Sequence, residues 1–109
     1  MAAEYYHADT ENGDYIVDPS EDALFMLIED LNATDNTFLT IEPPGEEPAW
    51  YASVSLLENG VYEVERNHPE RRIHELTTET DRGKIAKDLT IWLAATGRFT
   101  RQSSTATDF

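Results

Sequence analysis

Cysteine is absent from the 109 residues, which excludes a disulfide framework and any thiolate metal site and suits a reducing cytoplasm. Long apolar runs are missing as well. No stretch approaches the roughly 18 apolar residues of a spanning helix, and the opening MAAEYYHADTENGD has neither the basic start nor the apolar middle of a secretory signal. A soluble cytoplasmic protein is the expectation. The five glycines are scattered, so no glycine-rich phosphate loop is available. Lys and Arg are absent from the first 65 positions, which hold 16 Asp and Glu. All eight basic residues come later, among six acids, so the two parts carry −16 and +2 in a total of −14. Such a field repels nucleic-acid phosphate and anionic lipid and draws a basic partner from a distance. Solubility or adaptation to high salt is the plainer account of the same charge, though a salt-adapted surface would be acidic throughout.

What is present has the size of one domain with a single modest core. The stretch 49–66 (AWYASVSLLENGVYEVER) organises the rest. Trp50, Ala52, Val54 and Leu56 alternate with Tyr51, Ser53, Ser55 and Leu57, the period of a strand with one buried face. A two-residue Asn59-Gly60 turn would set Leu56 opposite Glu63 and Val54 opposite Glu65, mixing apolar and charged side chains on one face. A three-residue Glu58-Asn59-Gly60 loop instead pairs Leu56 with Tyr62 and Val54 with Val64. That register buries Trp50, Ala52, Val54, Leu56, Tyr62 and Val64. It leaves Tyr51, Ser53, Ser55, Glu63 and Glu65 outside.

Around this hairpin the chain supplies the other elements. Tyr5 to Ala8 and Tyr15 to Val17 flank a second Glu-Asn-Gly and predict a short hairpin, with His7 and Asp9 diluting the pattern. Asp18-Pro19-Ser20-Glu21 predicts a helix start capped by Asp18 with Pro19 in its first turn. Leu24, Leu27, Ile28 and Leu31 form its apolar stripe, ending near Asn32; Phe25 and Met26 are expected to widen that buried face, the alternative being exposure as a contact surface. A strand follows from Thr37 to Glu42, then an exposed acidic loop (PPGEEP) that includes Glu46 and Glu47. Beyond the central hairpin, Arg71 to Thr78 reads as a strand with a bulge or an early end, because Ile73 and Leu76 cannot share a regular face. The last element is a helix from about Asp81 to Thr96, capped by Thr80 or Asp81. Ile85, Leu89, Trp92, Leu93 and Thr96 form its stripe, and Gly97 ends it in the left-handed conformation. Residues 1–97 make the domain, and 98–109 form a polar tail expected to fray.

The order ββαββββα predicts an α+β fold. An antiparallel sheet of five or six strands carries both helices on one face, and the other face stays open.

Chemistry is sparse along this chain. His7, His68 and His74 show no metal-ligand spacing, so a zinc site would need distant residues to converge, and each reads as a surface or capping residue. No serine stands in a nucleophile elbow. No catalytic residue, metal site or cofactor is expected. Glu63 and Glu65 share a strand face, where a solvated surface is the ordinary reading and a catalytic or calcium-binding pair the sharper one. The outward Tyr51, Ser53, Ser55, Glu63 and Glu65, with Glu46 and Glu47, are the materials of a surface that recognises a cationic protein. A polar sheet face with no partner uses the same residues. A small enzyme or ligand-binding domain working through Glu63, Glu65 and His74 is the competing reading, and a nucleic-acid-mimicking regulator is another.

Over residues 4–97 the segments EYYH, YIVDPSEDALFMLIEDL, FLTIEP, WYASVSL, GVYEVE and IWLAATG, taken in order, resemble the small immunity proteins of bacterial polymorphic toxin systems, in particular those encoded beside deaminase and nuclease toxins. The RRIHELTT segment departs from that pattern. The resemblance implies a non-enzymatic inhibitor that binds a cognate toxin in the cytoplasm and carries no catalytic positions; the acidic first part of the chain suits a basic toxin, and either a monomer or a homodimer is compatible with the sequence.

Overall fold

The computed structural model describes residues 5–98; the tail from 99 onward, expected to fray, lies outside the described residues. The elements are β1 (His7–Thr10), β2 (Tyr15–Val17), α1 (Glu21–Glu29), β3 (Phe38–Glu42), β4 (Tyr51–Leu56), β5 (Tyr62–His68), β6 (Ile73–Glu79) and α2 (Arg82–Leu93). The six strands form one antiparallel sheet in the order β2-β1-β3-β4-β5-β6. The fold is the expected α+β arrangement.

The central hairpin adopts the three-residue loop. Leu56 pairs with Tyr62 and Val54 with Val64. Leu57 N–H donates to the Val61 carbonyl at 2.7 Å, and both Asn59 (φ 68) and Gly60 (φ 74) take the left-handed conformation that glycine adopts without cost and asparagine tolerates. The alternation of Leu39 and Ile41 across β3, and of Ala52 and Val54 across β4, places all four fully inside. Leu24, Leu27, Ile28 and Leu31 from the first helix and its C-terminal turn join them in one core, together with Ile85, Ala86, Leu89 and Leu93 of α2. Trp50 sits edge-on to Trp92 at 5.6 Å and to Tyr6 at 6.2 Å, an arrangement aromatic quadrupoles favour. Arg82 ties the start of α2 to the sheet: its Nε donates to the Tyr62 hydroxyl at 2.9 Å.

Several local expectations are corrected. The first helix is capped by Ser20, whose hydroxyl accepts from Ala23 N–H at 3.1 Å. Asp18, at φ 46, accepts instead from the Tyr5 and Tyr6 amides at 2.9 and 3.1 Å, so it anchors the chain entering β1. That first hairpin is displaced: β1 runs from His7 to Thr10, and the residues that dilute the apolar pattern are its outward ones. Of the two residues beside the helical stripe, Phe25 packs against the core, whereas Met26 is 61% exposed and lines a cleft with Tyr15 and Ile16. β6 needs no bulge. Its register with β5 is unbroken from Ile73 to Glu79, Arg72 absorbs the turn in the left-handed region, and Leu76 stands 57% exposed on the open face. At the other end, a π-helical turn, Ala94–Arg98, continues α2 through Gly97, which therefore does not stop the helix.

Asn36 and His68 are among the buried polar residues that were not foreseen, as is His7 of β1, expected at the surface. Asn36, fully buried, donates through Nδ2 to the Asp30 carbonyl at 3.1 Å and accepts at Oδ1 from the Asn12 amide at 3.3 Å. It bridges the end of α1 to the first hairpin loop. His68, 3% exposed, is the greater surprise for a residue before a proline. Neither of its ring nitrogens has a hydrogen-bond partner, and burial, with a smaller push from Arg71, holds its pKa below the usual 6.5.

Asn36→Ala should cost about 2–3 kcal/mol, since it orphans a carbonyl and an amide and leaves a void; urea unfolding of the two proteins gives the difference. The depressed pKa of His68 has a definite sign. Its neutral form is favoured by folding, so its contribution is complete above pH 6.5 and declines as the unfolded chain takes up the proton first on acidification. His68→Leu should flatten the stability curve on the acid side of that value, and an unchanged curve would refute the assignment.

Candidate recognition face

Strand register decides which side chains share the uncovered side of the sheet. Tyr15, Asp9, Thr40, Ser53, Glu65 and Leu76 form one row across all six strands. Phe38, Ser55, Glu63 and Thr78 form the next. On the other side of the long row lie Val17, His7 and Glu42 towards one edge, and Tyr51, Asn67 and His74 towards the other. None of these positions is Lys or Arg. The described cations lie elsewhere. Arg66 alternates to the helix side, opposite Glu75; Arg82, Lys84 and Lys87 belong to α2; Arg71 and Arg72 turn the β5–β6 corner.

All five sheet residues expected on this face are there: Tyr51, Ser53, Ser55, Glu63 and Glu65, each half-buried. Glu46 and Glu47 are exposed in the loop joining β3 to β4. Tyr15, Val17, Phe38 and Leu76 add large exposed apolar groups, which the alternation of their own strands directs outward.

Towards its β6 edge the face carries a hydrogen-bonded cluster. Glu65 Oε2 accepts from the Tyr51 hydroxyl at 2.9 Å and lies 2.8 Å from His74 Nε2. The His74 contact first, and the Tyr51 hydrogen bond after it, hold the Glu65 carboxyl below its usual value of 4.5. The same bond raises the Tyr51 phenol. Glu63 faces Ser55 and Thr78 one row away, so the competing trio of Glu63, Glu65 and His74 is only partly assembled. A carboxylate with lowered basicity and two partners is suited to accepting hydrogen bonds and is a poor proton abstractor.

A second cluster was missed by sequence reasoning. His7 Nε2 lies 3.3 Å from Asp9 Oδ2 and 3.7 Å from Glu42 Oε1. The His7 ring stacks on Tyr15 with centroids 4.9 Å apart. His7 and Asp9 stand two apart on one strand, which alternation could have revealed. Glu42, 35 residues from His7 in the chain, arrives only through the β1–β3 register.

No family model, curated protein or solved structure matches this chain. Function has to be argued from the face itself.

Two consequences of the Glu65 cluster can be measured. Because its folded-state pKa is lowered, Glu65 stabilises fully above the ordinary 4.5 and loses that contribution as pH falls through the folded value. The stability difference between wild type and Glu65→Gln should therefore shrink on acidification below that point. The same substitution should bring the alkaline ionisation of Tyr51, followed by ultraviolet absorbance, down towards the ordinary tyrosine range.

Proposed function

We propose that this chain is a non-enzymatic binding protein that docks a basic protein on its open sheet face. The observation that supports this most is the composition of that face: Asp9, Glu42, Glu63 and Glu65 spread over three strands without one Lys or Arg. Exposed Tyr15, Phe38 and Leu76 lie beside them. Carboxylates steer encounter and accept from Lys and Arg, while aromatic and apolar side chains supply the desolvated contact area. Tyr51 and Glu65 arrive pre-oriented by their mutual bond, which reduces the ordering cost on binding. Glu46 and Glu47 extend the negative field to one end.

The finer reading is an immunity protein that neutralises a cognate toxin acting on nucleic acid, since such toxins need basic surface to hold phosphate. Direct occlusion of that surface is sufficient for inhibition and requires no catalysis. A small enzyme using Glu65 and His74 is the alternative, with the 2.8 Å contact in its favour and the separate placement of Glu63 against it. A regulator that mimics nucleic acid shares the carboxylate face and differs in its partner.

Affinity capture from the native lysate at low and at high salt, with mass spectrometry of the bound fraction, tests the proposal. A basic protein should be retained at low ionic strength and released as screening shortens the reach of the charges. With that protein in hand, the Glu63→Lys/Glu65→Lys double variant should slow association by about ten-fold or more at low salt while the circular dichroism spectrum stays native. Binding that is indifferent both to salt and to the double variant would refute it.

A further inference from the structure

We infer that His7, Asp9 and Glu42 form a binding site for a divalent transition-metal ion, with Zn2+ as the best fit. This goes beyond the docking role and does not depend on it. The site lies on β1 and β3, towards the β2 edge of the sheet, whereas the Tyr51–Glu65–His74 cluster spans β4, β5 and β6.

The three donors already stand close to the spacing a metal requires. His7 Nε2 is 3.3 Å from Asp9 Oδ2 and 3.7 Å from Glu42 Oε1, and all three ligand atoms lie within 4.8 Å of one another. Zinc bonds of about 2.0–2.2 Å arranged tetrahedrally put neighbouring ligand atoms about 3.4 Å apart. One edge of that tetrahedron is therefore in place and a second is within a few tenths of an ångström. The third closes by a rotation of the Glu42 side chain, which is a third exposed and free of the core.

Rigidity comes from the sheet. His7 and Glu42 are direct cross-strand partners, and Asp9 is two residues along from His7 on the same face, so backbone pairing fixes the spacing without any loop to order. Tyr15, the cross-strand partner of Asp9, stacks on the imidazole at an interplanar angle of 25° and holds its plane. The imidazole is buried to its edge, with its side chain 11% exposed, while Asp9 and Glu42 border solvent. An ion can enter from the open face and keep a water in its fourth position. One imidazole nitrogen with two carboxylate oxygens is a donor set that suits zinc and its neighbours in the first transition row. A pure oxygen cage would favour calcium or magnesium.

Equilibrium titration of the full chain with Zn2+, and with Co2+ as a visible-absorbing substitute, tests the inference at physiological ionic strength. One ion per chain is expected, with the ligand-field bands of four-coordinate cobalt. Asp9→Asn and Glu42→Gln keep side-chain shape and should each weaken binding by about ten-fold or more, since even outer-shell partners change affinity by roughly 10–100-fold. His7→Ala should abolish the cobalt spectrum, with circular dichroism confirming that it folds. Glu63→Gln removes a charge from the same face away from the donors and should leave the titration unchanged. Equal losses for Glu63→Gln and Glu42→Gln would reveal diffuse counter-ion attraction and overturn the site. So would the absence of a stoichiometric ion, or tighter binding of Ca2+ that survives loss of His7.

Discussion

The fold depends on one pairing: Val54 opposite Val64 and Leu56 opposite Tyr62 in the β4–β5 hairpin. Shifting that pairing by one residue would send Glu63 and Glu65 into the space now filled by Tyr62 and Val64. A buried unpaired carboxylate costs several kcal/mol, enough to remove much of the stability of a domain this size. The left-handed Asn59 and Gly60 make the correct loop accessible. The correct register then gives both helices an unbroken apolar surface made of Leu39, Ile41, Ala52, Val54, Tyr62 and Val64.

The open face is the other product of the same constraint. In a strand, every residue drawn into the core leaves its neighbours on the opposite side. Burying Leu39, Ile41, Ala52, Val54 and Val64 therefore places Phe38, Thr40, Ser53, Ser55, Glu63 and Glu65 together on the opposite face. The described residues hold two apolar helical stripes, and both are used on the core side. What is left uncovered carries carboxylates, tyrosines and apolar groups in rows, and two histidine–carboxylate clusters sit at separate places within it. The helix side, by contrast, is laced with opposite-charge pairs such as Lys84 with Asp88 at 2.8 Å. Charge segregation between the two sides follows from where alternation put each acid, more than from the number of acids.

The parts legible from the chain are those governed by short-range periodicity. The alternation of β3, β4 and β5, the stripes of both helices, a cap at Thr80 or Asp81 and the three-residue loop each depend on residues a few positions apart. The expected outward set, Tyr51, Ser53, Ser55, Glu63 and Glu65, was legible for that reason. Where local signals competed, reading failed. Asp18 and Ser20 are both good caps two residues apart, and the Tyr5 and Tyr6 amides, reached only in the folded chain, claim Asp18. Ile73 and Leu76 suggest a broken strand only if both must be buried. At an edge strand one of them can face water at little cost.

His68, Asn36 and Glu42 mark the boundary between the two kinds of information. Composition, alternation and helical spacing determined the element order, the buried face and the acidity of the first 65 residues, because each is a property of neighbours along the chain. Only the tertiary structure decided that a histidine before proline is buried, that an asparagine in a turn bridges a helix to a hairpin, and that a glutamate meets His7 across two strands. Those facts arise from sheet order and packing, which join residues whose separation in sequence carries no signal of contact.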